Sequence, residues 1–284
     1  MATYNINTIQ EFINALAGAS GGDIIEINSD LQWNDVYETQ RNSVTVNGGE
    51  SIDGLTINGN NHTIFDITKG LISGGTAIFD FAGCTNIKID SLSFLNCALG
   101  QSAYRIMNCY GSCTLKNSVI QGKFKSAMFR GSGMFVRDSM ITANYSTGSA
   151  IFGGQAGQNS KYKNCWILLD HCTFEYASGG YFSGMDTCYI EGNLGVTGAP
   201  DDPKIFGGAN NCCINCTVNP LQNPTLSGFI TAIQGEGGQS TNIINTDKIP
   251  ALRDLESSTW VKLVTDAQMK DAEYLASINF DIIP

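Results

Sequence analysis

Apolar pairs recur along this chain at a spacing much longer than the period of a helix or a strand. Most are followed by glycine or another small residue, and successive pairs begin 22 to 30 residues apart. They are Ile78-Phe79, Ile106-Met107, Met128-Phe129, Ile151-Phe152, Tyr181-Phe182, Ile205-Phe206 and Phe229-Ile230. A repeat of this length is typical of solenoids, in which each structural unit stacks on the one before it.

A second pattern places a turn-forming residue before a short run of strand-forming residues. Its members lie 21 to 33 residues apart and are Asp90, Asn117, Asp138, His171, Asn193 and Asn215. The motif of leucine-rich repeats and the five-residue period of pentapeptide arrays are both absent from the sequence. The two patterns therefore predict an all-β solenoid with coils of about 22 residues, in which short strands pair in parallel with those of the next coil.

Helical patterns flank the repeat. Thr8 and Glu11 have capping-box spacing, and the residues on one helical face are Ile9, Phe12, Ile13 and Leu16. We expect this helix to cover the open N-terminal end of the solenoid, where unpaired strand edges would otherwise be exposed. The predicted organisation is a cap helix in residues 1–22, a parallel β-helix in 23–245 and a C-terminal tail or cap in 246–284.

The C-terminal tail contains a second capping box, formed by Thr265 and Gln268, which predicts a short helix ending near Ser277. The expected apolar stripe of that helix is Met269, Ala272 and Leu275. The tail also carries more apolar side chains than a segment in water needs, namely Leu252, Leu255, Trp260, Val261 and Leu263. We expect either that the tail folds back over the last coil or that a partner covers it, as in a homotrimer or an assembly with other virion proteins.

The opening of the repeat resembles a known superfamily. The run TIQEFINALAGASGGDIIEINSDL, followed by GLTINGNNHTIFDI, is similar to the start of pectate-lyase-like β-helix proteins. The resemblance covers residues 5–245 and implies a single-stranded, right-handed parallel β-helix with an N-terminal capping helix. That superfamily includes lyases, hydrolases, adhesins and phage tail proteins, so the resemblance leaves the activity open. The terminal run VTDAQMKDAEYLASINFDII resembles C-terminal segments of bacterial surface and prophage β-helix proteins.

Charge and hydropathy restrict the expected partners and location. The 16 basic and 26 acidic residues give a net charge of −10, which repels the phosphate backbone of nucleic acids. The sequence shows neither a signal peptide nor an apolar run long enough to span a membrane. We therefore expect neither nucleic acid nor a membrane span, and we expect a virion or an extracellular surface as the location.

Ten cysteines are present, and several follow asparagine at coil spacing. This repetition predicts free, buried thiols that stack along the solenoid and form no disulfide framework. Cys213 and Cys216 have the spacing of zinc ligands, but strand alternation would direct them to opposite faces, and a second pair of ligands is missing. We therefore expect no metal and no cofactor.

Candidate catalytic groups are few. Asp138, His171 and Asn193 share the turn pattern, and Asp170 and Glu191 lie next to it in sequence. Asp138, His171 and Glu191 could therefore supply the acid and base of a polysaccharide lyase or glycoside hydrolase that acts on an acidic polysaccharide. Turn formation explains the same residues more simply. The adjacent Asp201 and Asp202 are also expected to form a surface turn, because prolines flank them.

The preferred hypothesis is a non-enzymatic structural or adhesive protein. We expect a phage or prophage virion protein, associated with the tail or the surface, that binds a bacterial surface glycan. The polysaccharide-degrading enzyme and a bacterial cell-surface adhesin are the alternatives. The sequence assigns no binding residues.

Overall fold

The alternation of buried and exposed residues in short runs produces the strands of this protein. The computed structural model describes residues 1–33, 43–67, 77–99, 105–124, 128–146, 160–175, 184–197, 205–219, 221, 224–232 and 241–280. The strands in this part of the chain are β1 (Thr3–Ile6), β2 (Ile24–Ile27), β3 (Leu31–Gln32), β4 (Val44–Thr45), β5 (Thr56–Asn58), β6 (Thr63–Phe65), β7 (Phe79–Asp80), β8 (Ile87–Asp90), β9 (Ser93–Leu99), β10 (Met107–Asn108), β11 (Cys113–Lys116), β12 (Val119–Phe124), β13 (Phe129–Arg130), β14 (Met134–Arg137), β15 (Met140–Ser146), β16 (Lys161–Lys163), β17 (Trp166–Glu175), β18 (Met185–Asp186), β19 (Tyr189–Thr197), β20 (Phe206–Asn210), β21 (Cys213–Asn219), β22 (Ile230–Ala232), β23 (Asn242–Asn245) and β24 (Val261–Val264).

The strands form three parallel sheets that run the length of a β-solenoid. Sheet A has the order β1-β2-β5-β8-β11-β14-β16-β18-β20-β22, and sheet B has the order β3-β6-β9-β12-β15-β17-β19-β21-β23-β24. The shorter sheet C contains β4, β7, β10 and β13. The all-β parallel solenoid predicted from the repeats is therefore confirmed.

The interior is built from columns of apolar side chains in strict register. On sheet B the column consists of Ile64, Phe94, Ile120, Ile141, Ile167, Ile190, Ile214 and Ile244, all of them buried. Because side chains alternate along a strand, the residue before each member faces outward. This alternation fixes which residues sheet B presents to ligands.

The recurring apolar pairs are confirmed where the structure describes them. Phe79, Met107 and Phe129 are neighbours in sheet C, and Phe206 pairs with Ile230 in sheet A. The pairs Ile151-Phe152 and Tyr181-Phe182 lie outside the described residues.

The turn pattern was correct at Asn117 and Asp138 and wrong at its other members. Asn117 and Asp138 occupy the left-handed turn between sheets A and B, with φ of 53° and 50°. Asp90 is the last residue of β8, and the turn residue of its coil is Ser91, with φ of 54°. In later coils that turn residue is Asn164, Thr187 or Asn211, with φ of 52°, 52° and 50°. His171, Asn193 and Asn215 instead lie inside β17, β19 and β21. Asparagine favours left-handed turns, but it also stacks its amide on outward strand positions, so the two settings look alike in sequence.

The predicted N-terminal cap is confirmed. Helix α1 (Ile9–Gly18) begins after Thr8, which forms the capping box with Glu11, and its buried residues include all four of the predicted face. The ring of Phe12 packs edge-on against the ring of Phe79, with 5.7 Å between the ring centroids, which places the helix against the interior of the solenoid. The sequence did not indicate β1, which extends sheet A within the segment assigned to the cap.

The C-terminal tail folds back on the solenoid. Leu252 and Val261 are buried in the main core, and Leu255, Trp260 and Leu263 pack against it. Of the two alternatives expected for the tail, folding back is therefore found, and a homotrimer or an assembly with other virion proteins stays a prediction. The segment also contributes β24, which pairs with β23 and extends sheet B beyond the predicted end of the β-helix.

The short helix α2 (Leu226–Phe229) precedes β22. Two further short helices, α3 (Asp266–Met269) and α4 (Ala272–Ser277), follow β24. The capping box of Thr265 and Gln268 is confirmed, but Asp271 caps a new helix where one continuous helix was predicted. Of the expected stripe, Leu275 is buried and Ala272 is exposed. No helix in the described ranges is long and apolar enough to cross a membrane.

Candidate functional site on the outer face of sheet B

Of the three residues proposed as catalytic, Asp138 lies apart from the other two. Asp138 lies in the turn before β15, whereas His171 lies in β17 and Glu191 in β19. The pairing of β15 with β17 places Asp170 and His171 at a bulge opposite Asn144, well along β15 from Asp138. The residues assigned to one stripe thus occupy different columns, because only Asp138 is at the turn.

The surroundings of Asp138 also differ from those of a general acid. Its carboxylate accepts hydrogen bonds from the Asn164 amide and from the Arg137 guanidinium, both at 2.8 Å. These donors, the Asn164 amide most of all, lower the pKa of Asp138 below its ordinary value. A general acid needs a raised pKa at neutral pH, so Asp138 is better explained as a residue that ties two coils together at the turn.

Sheet B carries a column of large side chains on its outer surface. Val119, Met140, Trp166 and Tyr189 are consecutive register partners on β12, β15, β17 and β19. The first three are exposed, at 39%, 41% and 45% of their surfaces. We call these four residues the outer column. Soluble proteins seldom leave adjacent large apolar side chains in water unless the patch binds something.

Trp166 is the centre of the outer column and is held by two neighbours. Its indole N–H donates to the Glu191 carboxylate at 3.0 Å, and its ring meets the Tyr189 ring edge-on at 5.5 Å. Edge-to-face packing and a hydrogen bond together restrict the orientation of an exposed ring. The indole is therefore a preorganised flat surface rather than a freely rotating side chain.

Tyr189 is fixed in turn by a network of amides. The Asn215 amide donates to the Tyr189 hydroxyl oxygen at 2.6 Å, and the Asn245 amide donates to the Asn215 carbonyl oxygen at 2.8 Å. Asn245 is fully buried, and its own carbonyl oxygen accepts from the Asp247 backbone N–H at 2.9 Å. The hydrogen bonds that link Asn245, Asn215 and Tyr189 therefore all donate in one direction, from β23 toward Tyr189.

This direction determines where the Tyr189 proton goes. Since the Tyr189 oxygen accepts from Asn215, the proton of its O–H points away from that amide, and the Glu191 carboxylate lies close enough to act on the hydroxyl. Burial, with smaller contributions that include the charge of Glu191, raises the pKa of Tyr189. Glu191 thus accepts from Trp166 and lies beside Tyr189, so the three side chains form one cluster.

The C-terminal helices close one end of the outer column. The next register positions, Cys213 and Ile243, are buried beneath Val264, Leu275 and Phe280. Tyr189, Met269, Tyr274 and Ile278 pack at the margin of this cluster. The exposed aromatic surface therefore ends at a step formed by α3 and α4.

The expected separation of Cys213 and Cys216 is found. Cys213 belongs to the cluster under the C-terminal helices, whereas Cys216 belongs to the solenoid interior. Among the described residues no group of three or more metal-ligating side chains occurs. Asp201 and Asp202 lie outside the described residues.

No protein-family model, curated protein or solved structure matches this chain. The candidate site is therefore defined by the geometry of its own residues.

Sequence reasoning identified Glu191 but missed Trp166 and Tyr189. The available signal was their position, since each directly precedes a member of the interior column, Ile167 or Ile190. An aromatic residue that recurs on the outward side one coil later predicts a surface stack. The hydrogen bond by which Asn245 orients Asn215 could not be predicted in this way, because it depends on how the C-terminal tail folds.

Proposed function

We propose that this protein is a non-enzymatic adhesive β-solenoid that binds a bacterial surface glycan on the outer face of sheet B. The observation that carries the proposal is the exposed Trp166 ring, held by Glu191 and Tyr189. The C–H faces of a sugar ring are apolar and pack on an indole, while its hydroxyl groups need polar partners at the ring's edge. Glu191 supplies such a partner next to the indole.

The linear arrangement of the outer column suits a chain of sugars. Consecutive members belong to neighbouring parallel strands, which are about 4.8 Å apart. Val119, Met140 and Trp166 therefore form a strip along the solenoid axis that offers contacts to several adjoining units. The step at α3 and α4 would set the position of one end of the bound segment.

The virion assignment is part of the same proposal. It is supported by the resemblance of the solenoid opening to the pectate-lyase-like superfamily and of the terminal run to prophage β-helix proteins. On a virion or another extracellular surface, the net charge of −10 would limit non-specific binding to nucleic acid. Sheet B ends at β24 among the described strands, and that edge is where another copy or another virion protein would add.

Binding without hydrolysis is supported by the placement of the acidic groups. Asp138 has a lowered pKa, is bonded to Asn164 and Arg137, and lies in the turn before β15, whereas Glu191 lies in β19. Neither is arranged as the acid of a carboxylate pair.

A glycan array probed with the purified chain tests the proposal. Trp166→Ala should weaken binding to every retained glycan by at least about tenfold, as expected when an aromatic anchor is removed. The matched control is Tyr110→Ala, because Tyr110 is 38% exposed and lies between β10 and β11, away from sheet B. Failure to retain any glycan, or equal binding by Trp166→Ala and the wild type, would overturn the proposal.

A parallel assay for reducing sugars released from each retained glycan tests the absence of hydrolysis. We expect no release. Release that is abolished by Asp138→Ala would instead establish the enzyme.

A further inference from the structure

The carboxylates that contact neighbouring coils are of two kinds. Asp90 is paired with Lys116 at 2.7 Å and Asp186 with Lys163 at 2.9 Å, whereas Glu26, Asp53 and Asp80 bond neutral groups of the next coil. Glu191 is of the second kind, since among the residues the structure describes it has no Lys, Arg or His within ion-pair distance. It is set apart by its aromatic neighbours, because it accepts from the neutral indole N–H of Trp166 and lies beside the Tyr189 hydroxyl.

This leaves both charge and hydrogen-bonding capacity at Glu191. An ionised carboxylate has about four acceptor positions, of which the Trp166 indole occupies one. The group is half-buried beside the rings, where an uncompensated charge is costlier than in open water. A cation that reached it would therefore gain a charge-assisted hydrogen bond in a partly desolvated position.

The aromatic neighbours favour the same kind of ligand group. The faces of Trp and Tyr rings carry negative electrostatic potential and attract ammonium groups. Trp166 and Tyr189 stand on adjoining strands with their ring centroids 5.5 Å apart, and Glu191 accepts from the Trp166 indole. Two rings and one carboxylate, all of which attract ammonium groups, thus adjoin one another on the outer face of sheet B.

We infer that the glycan bound here carries free amino groups, with Glu191 binding the ammonium of one amino-sugar unit while Trp166 packs against its ring. This inference rests on the proposed function and specifies its ligand class. The net charge of −10 acts in the same direction, because it attracts a polycationic glycan from a distance and repels an acidic one.

The test compares two oligosaccharides that differ only in the amine. A glucosamine hexamer and the corresponding N-acetylglucosamine hexamer are titrated at mildly acidic pH, where the sugar amines are protonated. The glycan array carries the free-amine and the N-acetylated form of every other amino sugar that is tested. The wild type should prefer the free-amine form by at least about tenfold. Glu191→Gln, which keeps an acceptor for the indole, should remove that preference and change binding of the N-acetylated form by less than about twofold.

Two controls separate a specific site from general attraction to an acidic protein. Glu256→Gln removes the same charge from an exposed position in the C-terminal tail and should keep the preference. Trp166→Ala should weaken both forms. Loss of the preference in Glu256→Gln as much as in Glu191→Gln would overturn the inference.

The results also separate this inference from the proposed function. If glycans are retained through Trp166 but none prefers the free-amine form, or if Glu191→Gln leaves the preference intact, the inference is overturned and the glycan-binding function stands. If no glycan is retained at all, both fail.

Discussion

The hydroxyl oxygen of Tyr189 accepts a 2.6 Å hydrogen bond from the side-chain amide of Asn215, one strand further along sheet B. Asn215 is held in that orientation by Asn245, so an exposed aromatic surface depends on a side chain that is itself fully buried. Asn245 also bonds Asp266 at the start of α3. The aromatic surface and the C-terminal tail are therefore parts of one hydrogen-bonded unit.

The first prediction concerns this network. Asn245→Ala should lower the free energy of unfolding by about 1–3 kcal/mol, because it removes a buried amide that bonds the half-buried side chains of Asn215 and Asp266. It should also weaken glycan binding several-fold, since Tyr189 is then less well fixed. Urea unfolding and glycan titration measure the two effects. Asn193→Ala, at an exposed position that bonds only Thr217, should change stability by no more than about 0.5 kcal/mol.

An Asn245→Ala variant as stable as the wild type would show that water replaces the amide. Reduced stability with unchanged glycan affinity would show that the network supports the fold and not the aromatic surface.

The second prediction concerns the turn carboxylate Asp138. Its folded pKa lies below the ordinary value of 3.8, mainly because of Asn164. Asp138 therefore contributes stability that is fully present above that ordinary value and is lost as the pH falls through the lower, folded pKa. Asn164→Gly keeps the left-handed backbone but removes the amide, so the pKa of Asp138 should rise and the acid-side loss of stability should become shallower. Carboxyl NMR titration and urea unfolding at several pH values would show both.

Asn117→Gly is the matched control for this variant. It changes the same turn position two coils earlier, where the amide donates to Asp90 at 2.8 Å. The pKa of Asp138 should not rise in that variant. An unchanged Asp138 pKa in Asn164→Gly would contradict the assignment of its cause.

The architecture was predictable because its signal repeats. Ile120, Ile141 and Ile167 are register partners, because each coil needs a buried apolar side chain at the same position. The strands β1 and β24 were missed because neither belongs to the repeating pattern, and each joins its sheet from a segment that otherwise caps the solenoid.

The functional surface was less accessible from sequence. Glu191 was noticed as an acid, but its partner is the indole of Trp166 two positions away on the neighbouring strand. The sequence pattern placed His171 in a turn equivalent to that of Asp138, but His171 lies within β17. The bulge in β17 changes the register between β15 and β17, so the spacing in sequence does not reveal the difference. Period alone identifies coils, whereas register within a coil depends on bulges that the period does not show.

The third prediction concerns Gly192, which lies in β19 near that bulge. Its φ is +107°, and a Cβ at this position would collide with the carbonyl oxygen of Leu169. Gly192→Ala should therefore destabilise the protein by more than about 2 kcal/mol. Gly18→Ala, at the end of α1, meets no atom within 4 Å and should be neutral or stabilising by up to about 1 kcal/mol. Thermal unfolding of both variants tests this, and similar melting temperatures would contradict the clash.

The ten cysteines are free and buried, as the sequence predicted. Three of them, Cys165, Cys188 and Cys212, follow the left-handed turn in successive coils, and each thiol donates to the carbonyl oxygen two residues earlier at 3.3–3.4 Å. Ser139 occupies the same position and makes the same bond through its hydroxyl at 2.7 Å. These four coils thus carry a small donating side chain after the turn, whereas Leu92 follows the turn residue Ser91 in the coil of β8.

The last prediction follows from that equivalence. Cys188→Ser should cost less than about 1 kcal/mol, because the hydroxyl can make the bond that Ser139 makes. The thiol of Cys97 is buried and has no hydrogen-bond partner in the described part of the chain, and burial raises the pKa of this thiol to about 12. Cys97→Ser should therefore cost about 1–3 kcal/mol, since it buries an unsatisfied hydroxyl group. Urea unfolding under reducing conditions distinguishes the two variants. Equal losses would show that the thiols serve only as small apolar groups, and that the bond to the turn carbonyl contributes nothing.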